Sequence, residues 1–147
     1  MKLLVVDASA LVEFLLGTPR GRTMRPSLTS PEVDLHVPSL CDVEVASALR
    51  GLVRRRRVGV HRAEAALQDY RDLPVIRHGQ LTLLGRIFEL RDNFSCYDAV
   101  YVALAEALDA TFGSGDERVI GAVQAHTEVR LEGWSRDLER HAVNRFG

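Results

Sequence analysis

Four acidic residues, Asp7, Glu44, Asp98 and Asp116, stand in surroundings that call for an explanation. Asp7 interrupts the stretch KLLVVDASALVEFLL, in which Ser9 and Glu13 are the only later polar residues. Burying a carboxylate is costly unless it is paired, hydrogen-bonded or bound to a metal. Asp98 opens YDAVYVALAE, where the apolar run AVYVALA follows it, so a helix here is buried on most sides and its first acid meets low dielectric. Glu44 borders the apolar face Cys41, Val45, Ala48, Leu52 and shares a lane of small residues with Ser47 and Gly51. Asp116 follows the short segment TFGSG. Converging acids would repel one another, and Lys2 is the only lysine. Divalent cations would relieve that repulsion, and an all-oxygen set suits Mg²⁺ or Mn²⁺. One or two such ions can activate water, orient a phosphate and stabilise a leaving oxygen, which phosphodiester hydrolysis requires.

Each acid also has a purely structural reading. Asp7 can cap a following helix, and Glu44 can be a half-exposed helical residue. SCYD reads as a capping box, with Ser95 the cap and Asp98 reaching back. SGDE reads as another, with Ser114 and Glu117 as the reciprocal pair.

The elements that must position these residues alternate. Strands are expected at Leu3–Val6, Leu35–Val37, Val75–Arg77, Ala110–Phe112 and Glu128–Leu131. Helices are expected at Ala8–Leu16, Leu40–Arg55, His61–Asp72, Leu81–Arg91, Tyr97–Leu108 and Glu117–Ala125. Gly17–Pro31, with three prolines and several arginines, reads as a loop with room for one short helix. Strands alternating with helices predict an α/β fold with a parallel sheet covered on both faces. Ligands of such sheets bind outside the carboxyl ends of the strands. Asp7 and Asp116 then emerge at one edge, with the helix starts near Glu44 and Asp98 facing it.

At 147 residues, 46% hydrophobic and 27% charged, the chain fits one globular domain with a real core. No apolar run approaches the ~20 residues that span a bilayer, and the N-terminus lacks the features of a secretory signal. Cys41 and Cys96 are far apart, so reduced thiols and a cytoplasmic location, with no membrane partner, are expected. A net charge of -1 argues against a general polyanion binder, so any phosphate contact must come from local arginines.

The stretches VVDASAL, EVASALR, YDAVYVALAE and GSGDERV together resemble the motifs of PIN-domain ribonucleases, most closely the VapC-type toxins of bacterial toxin–antitoxin pairs. The similarity runs from about Lys2 to Leu131. It implies a three-layer α/β/α sandwich around a five-stranded parallel sheet, in a PIN-like nuclease domain over 1–132. It implies RNA cleavage dependent on Mg²⁺ or Mn²⁺, a small cognate antitoxin, promoter DNA bound only through the antitoxin complex, and a homodimer. Carried over by residue, Asp7 and Asp98 are the main metal ligands. Glu44 and Asp116 bind metal directly or through water, and one of them orients the attacking water. Ser9, two after the first acid, would hydrogen-bond that carboxylate. Ser114 stands where relatives commonly carry threonine, so the hydroxyl is kept. The tail over 133–147, a docked helix or partly disordered, lies outside the resemblance and receives no function.

Arg20, Arg22 and Arg25 are candidates for holding RNA phosphates from a flexible loop near the active edge. Arg54 to Arg57, with Arg50 and Arg62, suit a helix C-terminus, where cations oppose the macrodipole, or a contact with RNA or antitoxin. The five histidines read as surface residues, and Tyr97 and Tyr101 as core. Leu11, Phe14 and Leu15, with Leu49, Leu52 and Val53, exceed what one sheet face can take, leaving apolar surface for a partner groove. Rival functions are a PIN nuclease in RNA processing without an antitoxin and a catalytically silent binding module. A receiver domain would need a late lysine, and a haloacid-dehalogenase phosphatase a second aspartate where Ser9 stands. A dinucleotide binder would need GxGxxG, and DASALV lacks it.

Overall fold

A computed structural model describes residues 1–134. The element order is β1 (Lys2–Val6), α1 (Ala8–Leu16), α2 (Pro19–Leu28), β2 (Val33–Pro38), α3 (Cys41–Arg54), α4 (Val60–Asp72) and β3 (Val75–His78). A 3₁₀ turn (Leu81–Leu83), α5 (Leu84–Glu89), α6 (Cys96–Leu108), β4 (Thr111–Gly113) and α7 (Glu117–His126) follow. The strands form one parallel sheet in the order β3-β2-β1-β4. β1 is central and its residues Leu4, Val5 and Val6 are fully buried, as expected of a strand covered on both faces.

Right-handed crossovers dictate the layers. The steps β1→β2 and β2→β3 run in one direction, so α1 to α4 share a face, and α1 packs on α2, α3 and α4. The return from β3 to β4 runs the other way, so α5 and α6 cover the opposite face, where α6 packs on β1, β2 and β4. Every residue of α6 from Ala99 to Ala105 is buried. The strand order reverses between β1 and β4, and the carboxyl ends of these two strands carry Asp7 and the Ser114–Asp116 loop.

Local chemistry sets the element ends. Gly17, at φ +65°, closes α1 by donating its N–H to the carbonyls of Glu13 and Phe14. Arg62 donates to the Leu15 carbonyl at 2.9 Å, so one member of the arginine cluster ties down the end of α1. Arg54 to Arg57 are exposed, from the last turn of α3 into the tight turn at Arg56.

Several expectations are corrected. The sheet has four strands, not five: the segment expected as a fifth makes a single parallel bridge, Phe112 to Leu131. β4 is only three residues long, and Phe112 alone offers both its backbone groups, to Arg130 and Glu132, at 2.8 Å each. The stretch after Gly17, expected as a loop with room for one short helix, is a ten-residue helix over most of its length. Thr18 caps it, Pro19 occupies its first turn, and Gly21 lets it approach α1 so closely that an added Cβ would fall 1.9 Å from the Glu13 carbonyl oxygen. The expected helix over Leu81–Arg91 divides into the 3₁₀ turn and short α5. His36 is buried rather than at the surface, its Nδ1 lying 2.8 Å from His78 Nε2. Tyr97 is 64% exposed rather than core. At the start of the tail, Trp134 is buried against Gly113 and donates to Ser27 Oγ at 3.3 Å. The remainder of the tail lies outside the described residues. No described helix is long and apolar enough to cross a membrane.

Candidate active site

Asp7 leaves the end of β1 and caps α1, its Oδ1 accepting the Ala10 N–H at 3.0 Å. Two hydroxyls complete its holding: Ser9 donates to Oδ1 at 2.6 Å and Ser114 to Oδ2 at 2.5 Å. The serines are themselves oriented, since Ser9 Oγ accepts from Gly115 N–H and Ser114 Oγ from Asp116 N–H, both at 3.0 Å. Each hydroxyl thereby has its proton directed at Asp7. The loop bearing Ser114 comes this close because Gly115 lacks a side chain; a Cβ there would lie 3.1 Å from the backbone of Ser9 and Ala10. Burial pushes the Asp7 carboxyl above its ordinary range, and the hydrogen bonds from Ser114, Ser9 and Ala10 oppose that shift.

Glu44 sits half-buried in the first turn of α3. Tyr101, buried on α6, donates its hydroxyl to Glu44 Oε1 at 2.7 Å. Burial pushes the Glu44 carboxyl upward; the Tyr101 hydrogen bond pulls it down, and the charges of Asp98 and Asp7 push it up again. These three acids therefore feel one another although they stand on α3, α6 and the end of β1. Beneath Glu44, burial raises the Cys41 thiol to about 11, so it remains protonated beside the Tyr101 and Tyr70 hydroxyls.

Asp98 and Asp116 are joined through Arg118, which lies 3.3 Å from Asp98 Oδ2 and 3.5 Å from Asp116 Oδ2. The Arg118 side chain is 73% exposed, on the solvent side of the acids. The two expected capping boxes are realised differently. Ser95 does cap α6 by accepting the Asp98 N–H at 3.1 Å, but the Asp98 carboxylate pairs with Arg118. α7 is capped by Asp116, which accepts the Arg118 N–H at 2.9 Å; Ser114 is drawn into the buried site by Asp7 and does not pair with Glu117 as a cap.

Of the three arginines singled out for RNA, Arg20 pairs with Glu117 at 2.8 Å, beside Asp116. Arg22 and Arg25 are exposed on α2, a helix and not the flexible loop expected. The contacts that Tyr101 and Arg118 make with the acids were not expected from the sequence. Tyr101 follows Asp98 by three residues and reads as core, which it is, and only the fold shows where its hydroxyl goes.

Among the described residues, no three Asp, Glu, His or Cys side chains are gathered into a ready-made ligand set. Mg²⁺ dehydrates reluctantly and is usually held by one or two carboxylates, with waters and substrate phosphates completing its shell. A buried Asp7 held only by uncharged donors, with Glu44 and Asp98 acting on each other, fits such a cation.

The chain is similar to known proteins in both sequence and fold. A sequence model of the PIN domain matches residues 4–124. The chain is 43% identical over 129 residues to "Ribonuclease VapC9" of Mycobacterium tuberculosis, covering 88% of this chain and 98% of that protein. It is 39% identical over 119 residues to "Ribonuclease VapC3" of the same species, covering 80% and 85%. Among solved structures, PAE2754 from Pyrobaculum aerophilum superposes with a TM-score of 0.65 at 20% identity, covering 97% of this chain and 90% of that one. VapBC2 from Rickettsia felis, bound to a DNA fragment from its promoter, superposes with a TM-score of 0.65 at 12% identity, covering 88% and 97%. With a family match over most of its length and VapC relatives across nearly theirs, the chain belongs to the PIN-domain family, among the VapC-type toxins.

Proposed function

We propose that the chain is an endoribonuclease that uses Mg²⁺ or Mn²⁺ to hydrolyse RNA phosphodiester bonds, and that a small cognate antitoxin neutralises it. The observation that carries this reading is the preorganised Asp7, with both carboxylate oxygens oriented from β1, α1 and the β4–α7 loop. Ribonuclease activity stands in the names of relatives that are 39–43% identical. Asp7 and Asp98 would hold the cation, with Glu44 and Asp116 reaching it directly or through water. When bound, the cation supplies Lewis acidity to the phosphate and lowers the pKa of a water. The chain does the rest: Ser9 and Ser114 keep Asp7 in one orientation, and Glu44 accepts a proton from the attacking water as its oxygen bonds to phosphorus and the ribose oxygen leaves. Arg118 and Arg20 are the cations near enough to this edge to meet neighbouring phosphates.

Two surfaces support the expected partners. A groove between α1 and the end of α3, lined by Val12, Leu16, Leu52 and Val58 with Glu13 and Arg55, suits an amphipathic antitoxin segment. Leu81, Leu84 and Phe88, exposed by 80, 52 and 63%, recur every three or four residues along the 3₁₀ turn and α5, a face suited to a second copy. Promoter DNA would be met only through the antitoxin complex, as a VapBC assembly on promoter DNA suggests. The test of the central claim is incubation of purified protein and Asp7→Asn with RNA and Mg²⁺ or Mn²⁺. Cleavage should fall by about a hundredfold or more in the variant, in line with losing a preorganised charge from a site; equal cleavage by both proteins overturns the assignment.

A further inference from the structure

Among the described residues, Tyr101 is the one neutral side chain that reaches an acid of this site from one helix to another. It lies on α6 three residues after Asp98, so the two share a helical face, and it is 2% exposed. Its ring stacks near Phe112 of β4, the centroids 6.4 Å apart, which fixes where the hydroxyl can point. That hydroxyl donates to Glu44 Oε1 at 2.7 Å, spanning from α6 to α3. Cys41, one turn before Glu44 and fully buried, lies against the same hydroxyl from below. A Glu side chain in the first turn of a helix has three rotatable bonds and would otherwise sample several rotamers. Here one carboxylate oxygen is taken, and the other is left for a ligand.

We infer that Tyr101 is a positioning residue of the metal site: its hydroxyl fixes the Glu44 carboxylate, and with it the spacing between the acids of α3 and α6, in the geometry that receives a divalent cation. The inference rests on the metal-dependent reading above and adds a residue to it. A tyrosine that merely fills the core would contribute to stability, leaving cation affinity untouched. A tyrosine that orders Glu44 ties cation affinity to one hydroxyl, and only while Glu44 is a carboxylate.

The experiment is direct Mn²⁺ binding to the full chain, by calorimetry or by the electron paramagnetic resonance of free Mn²⁺, in a double-mutant cycle of Tyr101→Phe and Glu44→Gln. Tyr101→Phe keeps the ring and its packing, and circular dichroism with thermal melting confirms the fold. It should weaken Mn²⁺ binding about tenfold, the scale of one hydrogen bond to a charged group. In the Glu44→Gln background the same change should have no further effect. In RNA cleavage, the Mn²⁺ concentration for half-maximal rate should rise by a similar factor. Unchanged Mn²⁺ affinity in Tyr101→Phe, or an equal loss in both backgrounds, overturns the role given to Tyr101. A parent protein that binds no Mn²⁺ overturns the metal-dependent reading itself, so the two failures are told apart.

Discussion

Asp7 is held by two hydroxyls and an amide, none of them charged, and this has a consequence for stability. Burial raises its folded-state pKa above the ordinary 3.8, so between those two values the folded chain binds more protons than the unfolded one. Stability contributed by this group therefore falls as pH rises through that interval, and above it the group costs stability. Asp7→Asn should accordingly melt higher than the parent at pH 7, by roughly 2–4 °C for each kcal/mol relieved. The gain should vanish below about pH 3, where Asp7 is neutral in both states. Adding Mg²⁺ should raise the melting temperature of the parent and leave Asp7→Asn unmoved, because only a ligand of the folded state stabilises it. Paired melts across pH, with and without Mg²⁺, check all of this. The sequence made the strain on Asp7 visible because its apolar neighbours are adjacent in the chain. Ser114 was legible as a partner only through resemblance; Tyr101 was legible as core but not as a partner of Glu44, and Arg118 not as a partner of the acids. Their roles come from contacts between α6, α3 and α7 that no local pattern encodes.

At the scale of elements, the approach of α2 to α1 depends on Gly21, where a Cβ would meet the Glu13 carbonyl oxygen at 1.9 Å and the Phe14 nitrogen at 2.8 Å. Backbone atoms of a buried helix cannot yield as a flexible side chain can. Gly21→Ala should therefore force α2 outward and lose about 1–3 kcal/mol or more, the cost of overpacking, read as a lower midpoint in urea unfolding. The stretch holding α2 was read as a loop with room for only a short helix because PRGRTMRPSL is polar and carries two prolines, while its buried side, Gly21, Met24 and Leu28, is narrow. Its start signals, Thr18 followed by Pro19, were nonetheless in the sequence. α1 was read to the residue because Asp7 and Gly17 bracket an apolar run broken only by Ser9 and Glu13. The fifth strand failed for a reason outside its own sequence. EVRL has the alternation of a strand, but a three-residue β4 gives it only Phe112 to pair with.

Across the whole molecule, a net charge of -1 conceals a local excess of negative charge at the carboxyl edge of the sheet, offset by Arg118 and Arg20 rather than by lysines. Arg118 is the cation that spans Asp98 and Asp116, so in the absence of a divalent ion it answers the repulsion those acids would otherwise feel. A divalent ion bound by these acids, as proposed above, would take over that work and compete with the guanidinium for the same carboxylates. Being 73% exposed, Arg118 can swing out at little cost, and its fork then suits a phosphate of the incoming strand. Two opposite effects follow from one substitution. Arg118→Ala should tighten Mn²⁺ binding by roughly two- to thirtyfold, since exposed ion pairs are worth about 0.2–1 kcal/mol each and two are relieved. It should also weaken RNA binding and flatten its dependence on salt by about one phosphate contact. Mn²⁺ titrations without RNA, set beside RNA binding to an Asp7→Asn background across ionic strength, measure the two effects separately. Loss of Mn²⁺ affinity in Arg118→Ala would show instead that the arginine supports the acids rather than competing for them.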